Sequence, residues 1–189
     1  MSIKSLRTGY KGISALAGNL PPGDFESIAS ASGTGSSGVI TFSSIPSNYQ
    51  HLQIRWLSKS TLNGSYVWLN FNGDSSSLYA NHYLYSDGST TPITGNDINQ
   101  TRLNLYGSLV TSSQTNTHAI HIVDILDYNN TNKFKTVRAL GGQDQNGSGV
   151  AFISSGLWRS SNAITSITIT ANADNFGTNS RFALYGIRG

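Results

Sequence analysis

The stretch HLQIRWLS, residues 51–58, decides the fold. Successive side chains of an extended chain point to opposite sides, so Leu52, Ile54 and Trp56 share one face while His51, Gln53 and Arg55 share the other. Strict alternation of this kind is the mark of a strand with one buried and one solvated face. Working outward, the same pattern predicts strands in FESIASA (25–31), GVITFSS (38–44), YVWLNF (66–71), RLNLYG (102–107), AIHIVDIL (119–126), FKTVRAL (134–140), GVAFISSGLW (149–158), AITSITIT (163–170) and RFALYGI (181–187). Asn63-Gly64, Asn72-Gly73, Asp87-Gly88 and Asn146-Gly147 stand between them and supply positive φ for tight turns. About ten short strands with turn signals between them predict an all-β antiparallel sandwich.

The 189 residues suit one domain with a real core. Charged residues are 11 % of the chain, against roughly 25 % in an average soluble protein, and Ser, Thr, Asn and Gly fill the deficit. There is no cysteine, so neither disulfides nor thiolate metal sites hold the fold. No run approaches the roughly 18 apolar residues of a membrane helix.

The net charge of +3 is local: three of the twelve Lys and Arg lie in residues 1–23 and none of the nine acids does, which leaves the remainder balanced. A nucleic-acid-binding domain is expected to carry its basic residues on the folded part, and no such cluster is visible. Within residues 1–23, Ile3, Leu6, Tyr10, Ile13 and Leu16 recur at three or four residues, with Lys4, Arg7 and Lys11 between them. Gly9 and Gly12 each cost about 1 kcal/mol of helix stability, so this arm is not expected to hold a helix alone. The run GISALAGNL (12–20) is broken by Gly18 and Asn19 and does not read as a secretory signal. Pro21-Pro22-Gly23 sets a boundary, which divides the chain into a docking arm (1–23) and a sandwich domain (24–189). The arm residues Ile3, Lys4, Leu6, Arg7, Tyr10, Lys11, Ile13 and Leu16 are the predicted partner-docking set.

Catalytic chemistry finds little to work with. Glu26 is the only glutamate, and most of the eight aspartates stand in turn contexts. Asp124 and Asp127, three apart on a predicted strand, face opposite sides and are not expected to share a substrate. His118, His121 and Asp124 make an H-x-x-H-x-x-D series, but odd spacing on a strand separates the imidazoles; one is expected exposed and the other packed. No G-x-S-x-G elbow occurs. No catalytic, metal or cofactor site is predicted. The aromatics carry more: Val67, Leu69 and Phe71 form an aliphatic face, which leaves Tyr66, Trp68 and Asn70 on the other, and Tyr83 and Tyr85 share a face in LYANHYLYSDG (78–88). These five residues suit a protein interface or a glycan-binding face, or else the inner face of a second sheet.

Over nearly its full length the chain resembles a family of tailed-bacteriophage virion proteins, common in phages of cyanobacteria and other aquatic hosts. The resemblance is carried by MSIKSLRTGYKGISAL (1–16), FESIAS (25–30), ITFSSIPSNYQHLQIRWLSKS (40–60), LNFNGDSSSLYANHYLYSDG (69–88), DYNNTNKFKTVRALGG (127–142), SSGLWRSSNAITSITI (154–169) and SRFALYGIRG (180–189). LNFNGD is expected to close a hairpin. The resemblance implies a jelly-roll-like sandwich and homo-oligomeric assembly, commonly a trimer, in a virion assembled in the host cytoplasm. It also implies a non-enzymatic role as a capsid decoration or cement protein, or an accessory fibre-like protein, whose partner is a major capsid or tail/neck protein. The alternative is a tail or fibre receptor-binding module that recognises host surface glycan.

Overall fold

The structure, a computed structural model, describes residues 24–62, 66–89, 91–108 and 115–189. The described residues form twelve strands: β1 (Phe25–Ser32), β2 (Val39–Phe42), β3 (His51–Ser58), β4 (Tyr66–Phe71), β5 (Tyr79–Ser86), β6 (Ile93–Gln100), β7 (Leu103–Ser108), β8 (Ala119–Leu126), β9 (Lys135–Asp144), β10 (Gly149–Trp158), β11 (Ile167–Ala171) and β12 (Arg181–Ile187). All pairings are antiparallel, in an eight-stranded sheet ordered β1-β12-β3-β8-β9-β10-β5-β6 and a four-stranded sheet ordered β2-β11-β4-β7. The chain passes repeatedly from one sheet to the other, and the expected all-β, jelly-roll-like sandwich is the observed architecture. The predicted arm, residues 1–23, lies outside the described residues, as does the Asn63-Gly64 turn.

Alternation builds the core. In β3, Leu52, Ile54 and Trp56 are at most 2 % exposed, and they face Val67, Leu69 and Phe71 of β4 and Ile167 and Ile169 of β11 across the sandwich. Burying each such side chain is worth roughly 1.5–3 kcal/mol, which is why pattern outweighs weak local propensity here. Asn146 (φ 55°) and Gly147 (φ 117°) close the β9–β10 hairpin, with the Gln145 N–H donating to the Ser148 carbonyl at 2.8 Å.

Asn72 (φ 54°) and Gly73 (φ 68°) also form a tight turn, closed by the Asp74 N–H on the Phe71 carbonyl at 2.9 Å. It does not close a hairpin: β4 and β5 belong to different sheets, and the turn is the corner between them. That corner is anchored from inside. The Asp74 carboxylate accepts from Trp158 Nε1 at 2.7 Å and from the Ser76 N–H and hydroxyl, and the Tyr79 hydroxyl accepts from the Phe71 N–H at 3.1 Å. Burial pushes the Tyr79 hydroxyl up to about 12.

Two strands exceed the predicted set. β5 lies in the stretch read only for its aromatics, and β6, ITGNDINQ, has no apolar alternation because it is the sheet edge, beyond the four-stranded sheet's cover. AITSITIT also starts later than predicted, at Ile167, because Ile164 is held outside the strand by its N–H on the Tyr128 carbonyl at 2.9 Å.

Candidate functional site

The five residues predicted for an aromatic face do not form one face. Tyr66, Trp68 and Asn70 point outward from the four-stranded sheet, whereas Tyr83 and Tyr85 lie on the inner side of β5, in line with the buried Tyr79 and Asn81. The reason is the corner at Asn72-Gly73, which sends β4 and β5 to opposite layers of the sandwich.

On the outer face, the Arg102 guanidinium sits 3.4 Å from the centre of the Trp68 ring, and the Asn70 amide donates to the Asp74 and Thr101 carbonyls at 2.9 and 2.8 Å. Around them are Thr41, Thr168, Thr170 and Asn104, in register across the sheet.

One residue that alternation did not single out joins the two tyrosine sets. Tyr106 of β7 has φ 54°, and the β4–β7 register shifts beside it. This bulge swings its ring off the outer face and over the open edge of the sandwich. There it stacks on Tyr83 with ring centres 3.5 Å apart, lies 6.3 Å from Tyr85, and meets Tyr66 edge-on at 6.4 Å. Its hydroxyl donates to Asp97 of β6 at 2.6 Å. Burial and the bonds with Asp97 and Tyr83 push that hydroxyl far above the ordinary tyrosine range. Gly95 makes room for the stack, since a Cβ there would stand 2.4 Å from the Tyr83 hydroxyl. Two residues along the same face of β5, Asn81 is 2 % exposed and its amide has no hydrogen-bond partner among the described residues.

The other candidates separate. His121 is buried, stacked on Trp56 (4.5 Å between ring centres) and tilted against Phe152 (5.2 Å), while His118 is half-buried and precedes β8 rather than lying on it. Asp127 likewise lies beyond β8, in a turn with φ 48°, so strand parity is not what parts it from Asp124. Asp127 pairs with Lys133 at 2.8 Å; Asp124 accepts from Gln53 at 2.7 Å and pairs with Arg138 at 2.5 Å. Burial pushes the Asp124 carboxyl up, but the bonds from Gln53 and Arg138 outweigh it and hold the group below its ordinary value. No group of three His, Cys, Asp or Glu side chains placed to hold a metal ion occurs among the described residues. The arm residues Ile3, Lys4, Leu6, Arg7, Tyr10, Lys11, Ile13 and Leu16 lie outside the described residues.

The third surface is the outward side of the eight-stranded sheet. Ile122, Leu140, Ile153 and Leu84 stand directly opposite one another on β8, β9, β10 and β5, a row of four aliphatic side chains facing away from the core. Leu140 is 54 % exposed, and Ile153 and Leu84 are nearly as open. Beside the row, Leu57, Ile120, Gly142 and Ala151 also lie in register. Small residues there open a groove of about 750 Å³, bounded by Ile120 and by the turns carrying Asp87 and Asp144. A second groove of about 410 Å³ lies on the other side of Ile120, bounded by Leu57, Arg55, Arg181 and Tyr185. The charges therefore sit at opposite flanks. Single exposed aliphatics are ordinary, but a contiguous set on one sheet face marks a contact surface. The signal was in the sequence, as Ile120, Leu140 and Ile153 at the polar phase of their strands.

No family model matches the chain, and no curated protein matches it. Among solved structures, the Caenorhabditis elegans galectin LEC-6 is similar over 82 % of this chain and 94 % of its own, with 10 % identity and a TM-score of 0.36. A toad ovary galectin in complex with thio-digalactose is similar over 71 % of this chain and 99 % of its own, with 12 % identity and a TM-score of 0.25. SCLam, a non-specific endo-β-1,3(4)-glucanase of family GH16, covers 89 % of this chain and 94 % of its own, at 8 % identity and a TM-score of 0.26. Similarity at this level transfers no property of those proteins to this chain.

Proposed function

We propose that this chain is a non-enzymatic virion structural protein, a capsid decoration or cement protein or an accessory fibre-like protein, that docks through residues 1–23 and associates through its sandwich. The observation that carries the reading is the aliphatic row Ile122, Leu140, Ile153 and Leu84 on the outward sheet face, which suits protein contact and offers no chemistry. The resemblance of nearly the full sequence to tailed-phage virion proteins supplies the setting, and the basic, apolar arm supplies a second contact. The docking partner is a major capsid or tail/neck protein.

Deleting residues 2–22 tests the reading. The truncated protein is expected to stay folded and to lose incorporation into particles; a truncated protein that still incorporates, or that unfolds, overturns it. A second reading, recognition of host surface glycan, is favoured by the gathering of Tyr66, Tyr83 and Tyr85 around Tyr106 at the sandwich edge. Binding to a host oligosaccharide array supports it, and a silent array removes it.

A further inference from the structure

The outward face of the eight-stranded sheet carries its charge in a pattern that a second copy of the chain can match. In the order β1-β12-β3-β8-β9-β10-β5-β6, the midline falls between β8 and β9. The aliphatic set straddles that midline: Leu57 on β3, Ile120 and Ile122 on β8, Leu140 on β9, Ile153 on β10 and Leu84 on β5. One flank is basic, with Arg181 on β12 and Arg55 on β3; the other is acidic, with Asp144 at the end of β9 and Asp87 just after β5. All four charged residues are exposed. The remaining outward pair, Asp124 and Arg138, neutralises itself within the sheet at 2.5 Å.

We propose that two copies pack this face against itself about a two-fold axis parallel to the strands, between β8 and β9. It rests on the reading above that the face is a protein-contact surface, and it names the occupant. Such an axis places β12 over the partner's β5 and β3 over the partner's β10, and superposes β8 on β9. Arg181 of each copy then meets Asp87 of the other, Ile122 covers the partner's Leu140, and Ile153 lies over the partner's Arg55, whose apolar stem covers it. Rotation about the strand direction also keeps the two sheets aligned, which is one of the two common ways sheets pack. The size is adequate: eight strands at about 4.8 Å and eight residues at about 3.3 Å give roughly 1,000 Å² of projected face. A stable interface needs about 800 Å² from each partner. The opposite rotation, about an axis across the strands, lays the basic flank over the partner's basic flank and the acidic over the acidic, and is disfavoured by the same charges.

The test measures the mass of the full chain in solution by light scattering and analytical ultracentrifugation. A dimer is expected, and Leu140→Lys with Ile153→Lys, both outward and half exposed, is expected to return it to monomer. Two further variants fix the axis. Arg55→Glu with Arg181→Glu makes both flanks acidic, and Asp87→Lys with Asp144→Lys makes both basic; each alone is expected to weaken self-association by about tenfold or more. Mixed together they are expected to form a one-to-one heterodimer, which also shows that each variant is folded. A wild-type monomer at about 100 µM, well above the Kd range of specific interfaces of this size, overturns the proposal. So does a trimer, or a mixture that gains nothing over its parts. A dimer lost on deletion of residues 2–22 makes the arm the occupant of the face and overturns the proposal too. A dimer formed by a chain that joins no particle leaves this inference standing and overturns the virion reading instead.

Discussion

Replacing Asp174 by Asn tests how the loop before β12 is held. Each carboxylate oxygen accepts two bonds: Oδ2 from the Ser60 hydroxyl and from the Leu62 N–H at 2.9 Å, Oδ1 from the Thr61 hydroxyl at 2.6 Å and the Asn175 N–H at 2.7 Å. The group thereby ties the segment after β3 to the loop after β11, next to the Ser60–Phe176 bridge. Burial pushes the Asp174 carboxyl up, but these four donors outweigh it and hold the group below its ordinary value of 3.8. In the Asn variant one oxygen becomes an NH₂, so whichever way the amide turns, one hydroxyl must rotate to accept from it and one backbone N–H, of Leu62 or Asn175, faces a donor. At about 1.5–3 kcal/mol for a backbone N–H that loses a charged acceptor, the expected cost at pH 7 is roughly 2–3 kcal/mol. For a chain of this length that lowers Tm by roughly 5–10 °C. The sign with pH follows from linkage. A carboxyl whose folded value is depressed stabilises above its unfolded value, about 3.9, and loses that contribution as pH falls through the folded value. Thermal unfolding followed by circular dichroism from pH 7 to pH 2.5 is therefore expected to show the wild type losing stability faster in acid than Asp174→Asn, with the two curves converging. A gap in Tm that is below about 1 °C at pH 7, or that stays constant with pH, refutes the assignment.

Two other substitutions report on packing and on the tyrosine edge. Gly186→Ala puts a Cβ 2.3–2.5 Å from three ring atoms of Tyr49, whose hydroxyl is fixed by donation to Glu26 at 2.7 Å; overpacking of about 1–3 kcal/mol is expected, seen as a Tm lower by several degrees. Tyr106→Ala removes the ring that joins Tyr66, Tyr83 and Tyr85; if the edge binds host oligosaccharide, titration calorimetry is expected to show about a tenfold weaker Kd, and an unchanged Kd removes the cluster from the binding surface.

What could be read from the sequence followed from period. HLQIRWLS and YVWLNF bury the alternate residues that the pattern marks, because each has the opposite sheet over one face; AIHIVDIL, apolar in both phases, does not mark its buried face. β6 was missed for the same physical reason: at the sheet edge only Ile93, Ile98 and polar or small residues remain, and no alternation is imposed where nothing covers the strand. Which layer a strand joins is not written in its own residues. LNFNGD carries a sound turn signal, yet the Asn72-Gly73 turn feeds another sheet, since the choice between hairpin and corner is made by distant partners such as Trp158 on Asp74. The place of Tyr106 was hidden likewise, because a bulge breaks the parity that would have grouped it with Trp68. The outward aliphatics were present as letters, but their adjacency needed the register of five strands.

The tyrosine edge comes from a mismatch, an eight-stranded sheet paired with a four-stranded one. The last strand of the smaller sheet, β7, lies against β9, β10 and β5, which leaves β6 beyond it. A sheet edge left open on its inner side would expose apolar residues if the core pattern continued. Instead Tyr83, Tyr85 and Asp97 occupy those inner positions, and Tyr106 bends over them from the neighbouring layer. Tyrosine suits this boundary, being apolar in the ring and hydrogen-bonding at its tip. On the opposite side of the same sheet the described residues form no layer, and the residues there are not those of a solvated face: the row from Ile122 to Leu84 is as aliphatic as parts of the core. A lone chain gains nothing from exposing that row, since placing charges at those positions is the common way to keep a sheet soluble. The face therefore suits the self-contact proposed above, in which the charges at its flanks would set the orientation of the second copy.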